Sequence, residues 1–156
     1  HPDTPIPAGT WLGMTAGTNV ATLWRSMLEA IAFEYADFLD VFATNGIRLE
    51  QVLAVGGGAR SAIWNQLKAD VNDVAWTIPA RQDGAILANA ALAANGVGAT
   101  VDLAATVTSW VSGGERSVPN PEAVAAYRRV QLARRSILSS SLRSVFDAMA
   151  PLRASI

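Results

Sequence analysis

Apolar residues recur at helical spacing in the first third of the chain. Thr18 or Asn19 can cap a helix start, and Asn45–Gly46 is typical of a helix end. The spacing therefore predicts a helix that runs from about residue 19 to Thr44. Its apolar positions are Leu23, Met27, Ala30, Ile31, Phe38 and Phe42.

Two short apolar runs, over residues 52–55 and 75–78, flank a second helical pattern. A short apolar run that meets glycines is typical of a strand buried on both faces. Ser61 is the expected cap of the intervening helix, and Pro79 ends the second strand. Strand, helix and strand in this span predict a right-handed βαβ unit with parallel strands.

The rest of the chain predicts mainly helices. Asp83 suits the N-cap of a buried helix that ends at Asn95–Gly96, and a weaker helix over 102–109 precedes a loop around Gly113–Gly114. Residues 120–122 combine a cap, a proline at the first position and an acid near the positive helix end. The final helix is expected to break near residues 139–141 and to resume through residue 146.

The composition excludes several classes of site. The 156 residues are 51% hydrophobic and 16% charged, with a net charge of −1 and a mean hydropathy of +0.24. No cysteine is present, and the single histidine is His1. Disulfides, thiolate metal sites and cysteine nucleophiles are therefore excluded, and histidine-based catalysis or metal binding is not expected.

Charge and hydropathy also bear on partners and location. From Pro121 onward the net charge is +4, which we interpret as a solvated helix face rather than a phosphate-binding surface. We expect no nucleic-acid partner. We expect no membrane partner, because the uncharged residues 84–101 are mostly alanine with asparagines and glycines. The first residues lack the features of a signal peptide, so we expect a cytoplasmic protein. The high apolar share would allow a homodimer.

The most informative segment is Val52–Val71, where a strand ends in three glycines and a helix begins. Glycine permits a sharp turn and the close approach of a ligand, and a helix N-terminus favours anionic groups. A P-loop is rejected because no Lys-Ser or Lys-Thr follows the glycines. A dinucleotide-binding turn is a weak match, since Ser61 stands at the third glycine position. A ligand-free tight turn remains a third interpretation.

The same segment resembles the nucleotide-binding segment of the FGGY carbohydrate kinases, the family of xylulose, glycerol and gluconate kinases. The matching residues are Gly56, Gly57, Gly58, Ala59, Gln66, Ala69 and Asp70. A second resemblance covers Gly9–Met14 and the helix through Glu29, with Thr22 where the family has an acid, an amide or a histidine. A third covers Asp83–Ala91, where Ala88 replaces a glycine. The three segments agree in order over roughly residues 8–150.

The resemblance implies an α/β fold: a portion of the C-terminal domain of an actin-like (RNase H-like) ATPase, with short parallel strands and packed helices. The whole chain, residues 1–156, would be the nucleotide-binding part of a longer sugar kinase. ATP and Mg²⁺ are the implied cofactors. The sugar and the family's catalytic aspartate would belong to an N-terminal domain that has no match in this chain. We therefore expect neither a catalytic residue nor a protein metal site here.

The resemblance also implies the site residues. The backbone of Gly56, Gly57 and Gly58 would approach the adenosine, and Ala59 would continue that wall. Ala62 stands where several members place an adenine-contacting asparagine, and Asn65 is the nearest substitute. Asp83 and Gly84 could border the cleft. The alternatives are a non-catalytic nucleotide-binding or interaction module and, less favoured, an NAD-binding domain.

Overall fold

The computed structural model describes residues 10–81, 83–111 and 113–153. Its helices are α1 (Val20–Thr44), α2 (Ala62–Asn72), α3 (Gly84–Gly96), α4 (Leu103–Val111), α5 (Pro121–Ser136) and α6 (Arg143–Arg153). Its strands are β1 (Gln51–Leu53), β2 (Ala75–Pro79) and β3 (Gly114–Ser117). A 3₁₀ turn covers Gly57–Arg60, and a π-helical segment covers Ile137–Ser141. His1 and Gly9 lie outside the described residues.

Local caps confirm three of the predicted helix starts. Asn19 accepts a hydrogen bond from the Thr22 N–H at 3.0 Å. Ser61 accepts from the Trp64 N–H at 3.3 Å, and Asn120 accepts from the Glu122 N–H at 2.9 Å. These side chains satisfy backbone N–H groups that a helix leaves without partners in its first turn. Asp83 occupies the N-cap position of α3 but makes no capping hydrogen bond, so that part of the prediction is wrong.

The three strands form one sheet in the order β1-β2-β3. β1 pairs in parallel with β2, as predicted, with Val52 opposite Trp76. β3 pairs with β2 in the antiparallel sense, which corrects the predicted loop at residues 113–114. A Cβ on Gly114 would lie 1.9 Å from the carbonyl oxygen of Ile78, so only glycine fits where β3 begins.

The expected burial of the first strand and of α3 is wrong in this structure. β1 is an edge strand, and Leu53 is 56% exposed. In α3 only Ala91 is fully buried, and the helix packs mainly against α4. An apolar run cannot reveal from sequence alone which of its faces is covered, because that depends on elements distant in sequence.

The core consists of two clusters on either side of α2. The first joins α1 to α2, and Leu28, Trp64 and Tyr127 pack around it. The second lies between α2 and the sheet, with Val52 at its margin. The buried members of the first are Ala32, Phe33, Ala36, Leu67 and Val71; those of the second are Ala54, Ala59, Ala69, Trp76 and Ile78.

Two arginines of α5, Arg134 and Arg135, pair with carboxylates of α1, which corrects our interpretation of the basic face as simply solvated. Arg134 contacts Asp37 at 2.9 Å and also contacts Glu34. Arg135 donates to Asp37 at 2.8 Å and also pairs with Asp40. We call this set of ion pairs between α1 and α5 the seam. No helix among the described residues combines the length and apolar character needed to cross a bilayer.

Candidate functional site: the glycine turn

The glycine turn, Gly56–Arg60, lies where the two parallel strands end. β1 leads through Ala54 and Val55 into the turn, and β2 ends at Pro79 beside it. In open α/β sheets, ligands bind in the crevice outside the carboxyl ends of the strands. A cleft of about 350 Å³ occupies this place. It is lined by Ala59, Arg60, Ile78, Pro79, Ala80, Gly114 and Glu115.

The first glycine is required by the backbone. Gly56 has φ +82° and ψ −170°, a conformation that L side chains rarely adopt. The carbonyl of Gly56 accepts a hydrogen bond from the Ala59 N–H at 3.1 Å, which closes the turn. Ala59 is buried beneath it, at 4% exposure. The sequence thus specifies a sharp turn between the strand and α2, with a 3₁₀ segment that was not predicted.

The next two glycines are not required by packing among the described residues. A Cβ on Gly57 would meet nothing within 4 Å. A Cβ on Gly58 would make ordinary contact with Trp64, at 3.6 Å from Nε1. Neither glycine has a positive φ. Their bare backbone is therefore available for close approach by a ligand, and the protein's own fold supplies no reason for two glycines here.

Asn65 supports the turn from beneath. Its side chain is 1% exposed, and Nδ2 donates to the carbonyl of Ala59 at 2.7 Å. Oδ1 is buried with no partner among the described residues. We expected Asn65 to replace the adenine-contacting asparagine that is absent at Ala62. Because the side chain is buried and bonded to Ala59, it supports the turn from inside and is not open to a ligand.

The remaining polar candidates separate into two groups. Arg60 and Glu115 line the cleft together with Ala59, whereas Asp83 and Gly84 do not. The three predicted glycines, Gly56–Gly58, precede the lining residues in the turn and are not themselves part of the cleft lining. Glu115 was missed by sequence reasoning because β3 reaches the cleft only through its pairing with β2. Asp70 accepts hydrogen bonds from Gln66 and from the backbone of Asn120, so its role is structural.

Glu29, which the family signature singles out, lies in the α1–α5 interface. It accepts hydrogen bonds from Arg25 at 2.9 Å and from the Tyr127 hydroxyl at 2.8 Å. Burial, together with Glu29, raises the pKa of the Tyr127 hydroxyl despite the opposing Arg25. These contacts give Glu29 a structural role in the α1–α5 interface.

Two larger depressions, of about 620 and 560 Å³, lie between α1, α5 and α6. Two of their carboxylates, Glu34 and Asp37, are already held by Arg134. Neither depression contains a residue of the glycine turn. Size alone would favour them, but the smaller cleft lies at the strand ends and is lined by Ala59 and Arg60 of the glycine turn, directly after Gly57 and Gly58 in the chain. We therefore take the turn and this cleft as the candidate site.

Among the described residues, no three metal-ligating side chains lie close enough together to hold a metal ion. Mg²⁺ is commonly bound through substrate phosphates and one or two carboxylates, without a dedicated protein cage. Glu115 is the single carboxylate among the residues that line the cleft. One carboxylate at the cleft is compatible with a metal ion that binds together with the phosphates of a nucleotide. It is too few for a metal ion held by the protein alone.

A family match over more than half of the chain identifies its family. Residues 4–97 match the C-terminal domain of the FGGY family of carbohydrate kinases. The chain belongs to this family. It is 32% identical over 105 residues to an autoinducer-2 kinase of Enterobacter sp. strain 638, covering 67% of this chain and 20% of that protein. It is 28% identical over 122 residues to a xylulose kinase of Staphylococcus epidermidis, covering 78% of this chain and 24% of that protein.

Solved structures of the family share the fold. The xylulose kinase from Rhodospirillum rubrum matches with a TM-score of 0.77 and 29% identity, over 92% of this chain and 29% of that one. The gluconate kinase from Lactobacillus acidophilus matches with the same TM-score and coverage at 22% identity, which bears on the fold alone. The predicted actin-like ATPase fold is confirmed. The chain spans less than a third of the length of these relatives.

Proposed function

We propose that residues 1–156 are the nucleotide-binding part of a cytoplasmic kinase that transfers the γ-phosphoryl group of Mg-ATP to a sugar hydroxyl. A pentulose such as xylulose is the favoured acceptor, supported by xylulose kinases among both the sequence relatives and the solved structures. Autoinducer-2 and gluconate kinases among the relatives are the competing guides to the acceptor. The observation that carries the proposal is the pair of glycines, Gly57 and Gly58, whose open backbone has no explanation in packing.

Phosphoryl transfer depends on positioning and charge stabilisation more than on covalent chemistry by the protein. A nucleotide against Gly57 and Gly58 would lie at the strand ends, with Arg60 and Glu115 at the cleft wall. Mg²⁺, when bound with the nucleotide, would neutralise charge on the phosphates. The sugar hydroxyl and the carboxylate that takes its proton would come from residues outside this chain, so the chain alone is expected to bind nucleotide without turning over.

Calorimetric titration with ADP tests the proposal. Gly58→Val should weaken ADP binding at least tenfold, because its side chain would occupy the approach to the backbone. The thermal unfolding midpoint, measured on the same sample, verifies that the variant is folded; a Cβ at this position makes only ordinary contact with Trp64.

Gly96→Val is the matched control, because a Cβ at Gly96 meets nothing within 4 Å and the residue lies at the end of α3, away from the turn. ADP affinity should be unchanged in this variant. Wild-type ADP affinity in a natively folded Gly58→Val protein would overturn the assignment of the site.

An interaction module is the second candidate, favoured by the exposed apolar face of α1. Trp24 and Phe38 are each 61% exposed on this helix, and Val20 is 82% exposed. Contiguous apolar surface of this kind is typical of interaction sites. Concentration-dependent sedimentation to a dimer, without ADP binding, would favour this candidate over the kinase; a monomer that binds ADP would reject it.

A further inference from the structure

A tryptophan nitrogen beside the glycine turn has no hydrogen-bond acceptor among the described residues. Nε1 of Trp64 would lie 3.6 Å from a Cβ on Gly58, and Cδ1 would lie 3.9 Å from it. The Trp64 side chain is half-buried, and its nitrogen, unlike that of Trp76, is not a buried atom without a partner. A solvent-accessible indole N–H therefore borders the space that the missing side chain of Gly58 leaves.

The ring that carries this N–H is fixed in place. It packs against the cluster of α1 and α2 residues that includes Phe33 and Leu67. The Lys68 ammonium lies 5.1 Å from the centre of the Trp64 ring and 4.3 Å from that of Trp76, within range of cation–π attraction. The indole thus has a defined orientation before any ligand binds, which reduces the entropy lost on binding.

The other side chains near the turn do not supply an equivalent donor. The Asn65 amide nitrogen already donates to the carbonyl of Ala59. Ala62, at the start of α2, has no polar side-chain atom. An indole N–H can only donate, so a ligand must present an acceptor to it.

We propose that Trp64 Nε1–H donates a hydrogen bond to an acceptor on the adenosine portion of a nucleotide seated against Gly58. This inference rests on the proposed function and names the contact that replaces the absent asparagine at Ala62. It assigns Trp64 to nucleotide recognition as well as to the core.

Nuclear magnetic resonance of the ¹⁵N-labelled wild-type chain tests the contact, and a variant is needed only to assign the signal. Each of the five tryptophans should give an indole N–H signal, and Trp64→Phe assigns one of them by its loss. ADP and adenosine should each shift the Trp64 indole signal and the backbone signals of Gly57 and Gly58. Tripolyphosphate should leave the indole signal in place. An indole signal that moves with tripolyphosphate but not with adenosine would overturn the inference.

The same titration separates the two proposals. Backbone shifts at Gly57 and Gly58 without an indole shift would overturn the Trp64 contact and leave the nucleotide site intact. Saturating ADP that moves neither would overturn the nucleotide site, and the Trp64 contact with it.

Affinity provides the second measurement. Trp64→Phe keeps an aromatic ring but loses the donor, and should weaken ADP binding roughly three- to tenfold. Trp24→Phe is the control, because Trp24 lies on the exposed face of α1, and it should bind ADP like the wild type. Equal ADP affinity for a folded Trp64→Phe and the wild type would overturn the inference.

Discussion

The seam and the glycine turn use their polar groups in opposite ways. In the seam, Asp37 accepts hydrogen bonds from both Arg134 and Arg135. At the turn, Gly57 presents bare backbone, and the Trp64 nitrogen has no acceptor among the described residues. One region is saturated by partners within the chain, whereas the other leaves its groups open.

The presence or absence of partners within the chain separates residues that stabilise the fold from residues that are available to bind a ligand. A seam side chain has its physical reason inside the structure, so its loss should lower the free energy of unfolding. The glycines at 57 and 58 have no such reason. Their substitution should change ADP affinity and leave stability nearly unchanged. Four variants test this separation, from the largest expected effect on stability to the smallest.

Phe33→Ala should have the largest effect. Phe33 is 4% exposed, and its ring makes an edge contact with Tyr127 at 6.0 Å between centroids. Loss of the ring should lower the free energy of unfolding by about 3–4 kcal/mol, as measured by urea denaturation.

Phe38→Ala is the control for Phe33→Ala on the same helix. Its side chain is 61% exposed, so the change should stay within about 0.5 kcal/mol. Equal destabilisation by the two substitutions would contradict the assignment of the core to one side of α1.

Lys68→Met should stabilise the protein. Lys68 is the only lysine in the chain, and burial lowers the pKa of its ammonium from 10.5 to about 8. Below about pH 8 the folded state must hold a charge that is better solvated in the unfolded chain. Methionine removes this penalty, partly offset by the lost cation–π contacts, for a gain of about 1–2 kcal/mol at pH 7.

The sign of the pH dependence sharpens the Lys68 test. Between about pH 8 and pH 10.5 the unfolded state binds more protons at Lys68, so wild-type stability gains a contribution as the pH rises. The advantage of Lys68→Met should fade over this range in denaturation curves measured at several pH values. Lys68→Arg, which keeps a charge, should show no such gain. A loss of stability in Lys68→Met at pH 7 would contradict the expectation.

The sequence predicts best what depends on neighbouring residues. The starts of α1, α2 and α5 follow from caps that bond within three residues. The parallel β1–β2 pair follows from a short crossover. Pairing between distant segments was missed: Gly113–Gly114 has the local features of a loop, yet Gly114 begins a strand whose partner ends at Pro79.

The candidate site shows the same limit. The glycine turn was visible in the sequence as a contiguous motif. Glu115 and the Trp64 nitrogen were not, because one reaches the cleft through β3 and the other is significant only for its distance from Gly58. The arginines of α5 were interpreted as solvated, since their carboxylate partners are nearly 100 residues away in α1.

Asp37→Asn should produce a smaller, acid-dependent loss. Burial alone would raise the pKa of the Asp37 carboxyl, but hydrogen bonds from Arg134 and Arg135 outweigh it and hold the pKa below its ordinary value of 3.8. The carboxylate therefore contributes stability that is fully present above about pH 4 and is lost as the pH falls through the lowered pKa. At pH 7 the variant should be about 1 kcal/mol less stable, because the site is partly exposed to solvent.

The difference between Asp37→Asn and the wild type should shrink below pH 4 in acid denaturation curves. Glu50→Gln serves as the control, because Glu50 is an exposed carboxylate that makes no ion pair among the described residues. Its curve should follow that of the wild type. A pH-independent difference for Asp37→Asn would place its effect in packing rather than in charge.

Gly57→Ala should have the smallest effect on stability, in the opposite direction. No atom lies within 4 Å of the added Cβ, and φ is not positive at this residue. Alanine restricts the unfolded chain, so the free energy of unfolding should rise by about 0.5 kcal/mol. Gly56→Ala, one residue earlier, should lower it by about 1–2 kcal/mol, because φ there is +82°. Of these two variants, only Gly57→Ala should combine unchanged or higher stability with weaker ADP binding, measured by thermal unfolding and calorimetry on the same samples. If Gly57→Ala binds ADP like the wild type, the open backbone at this residue is not part of the nucleotide contact, and Gly58 carries it alone.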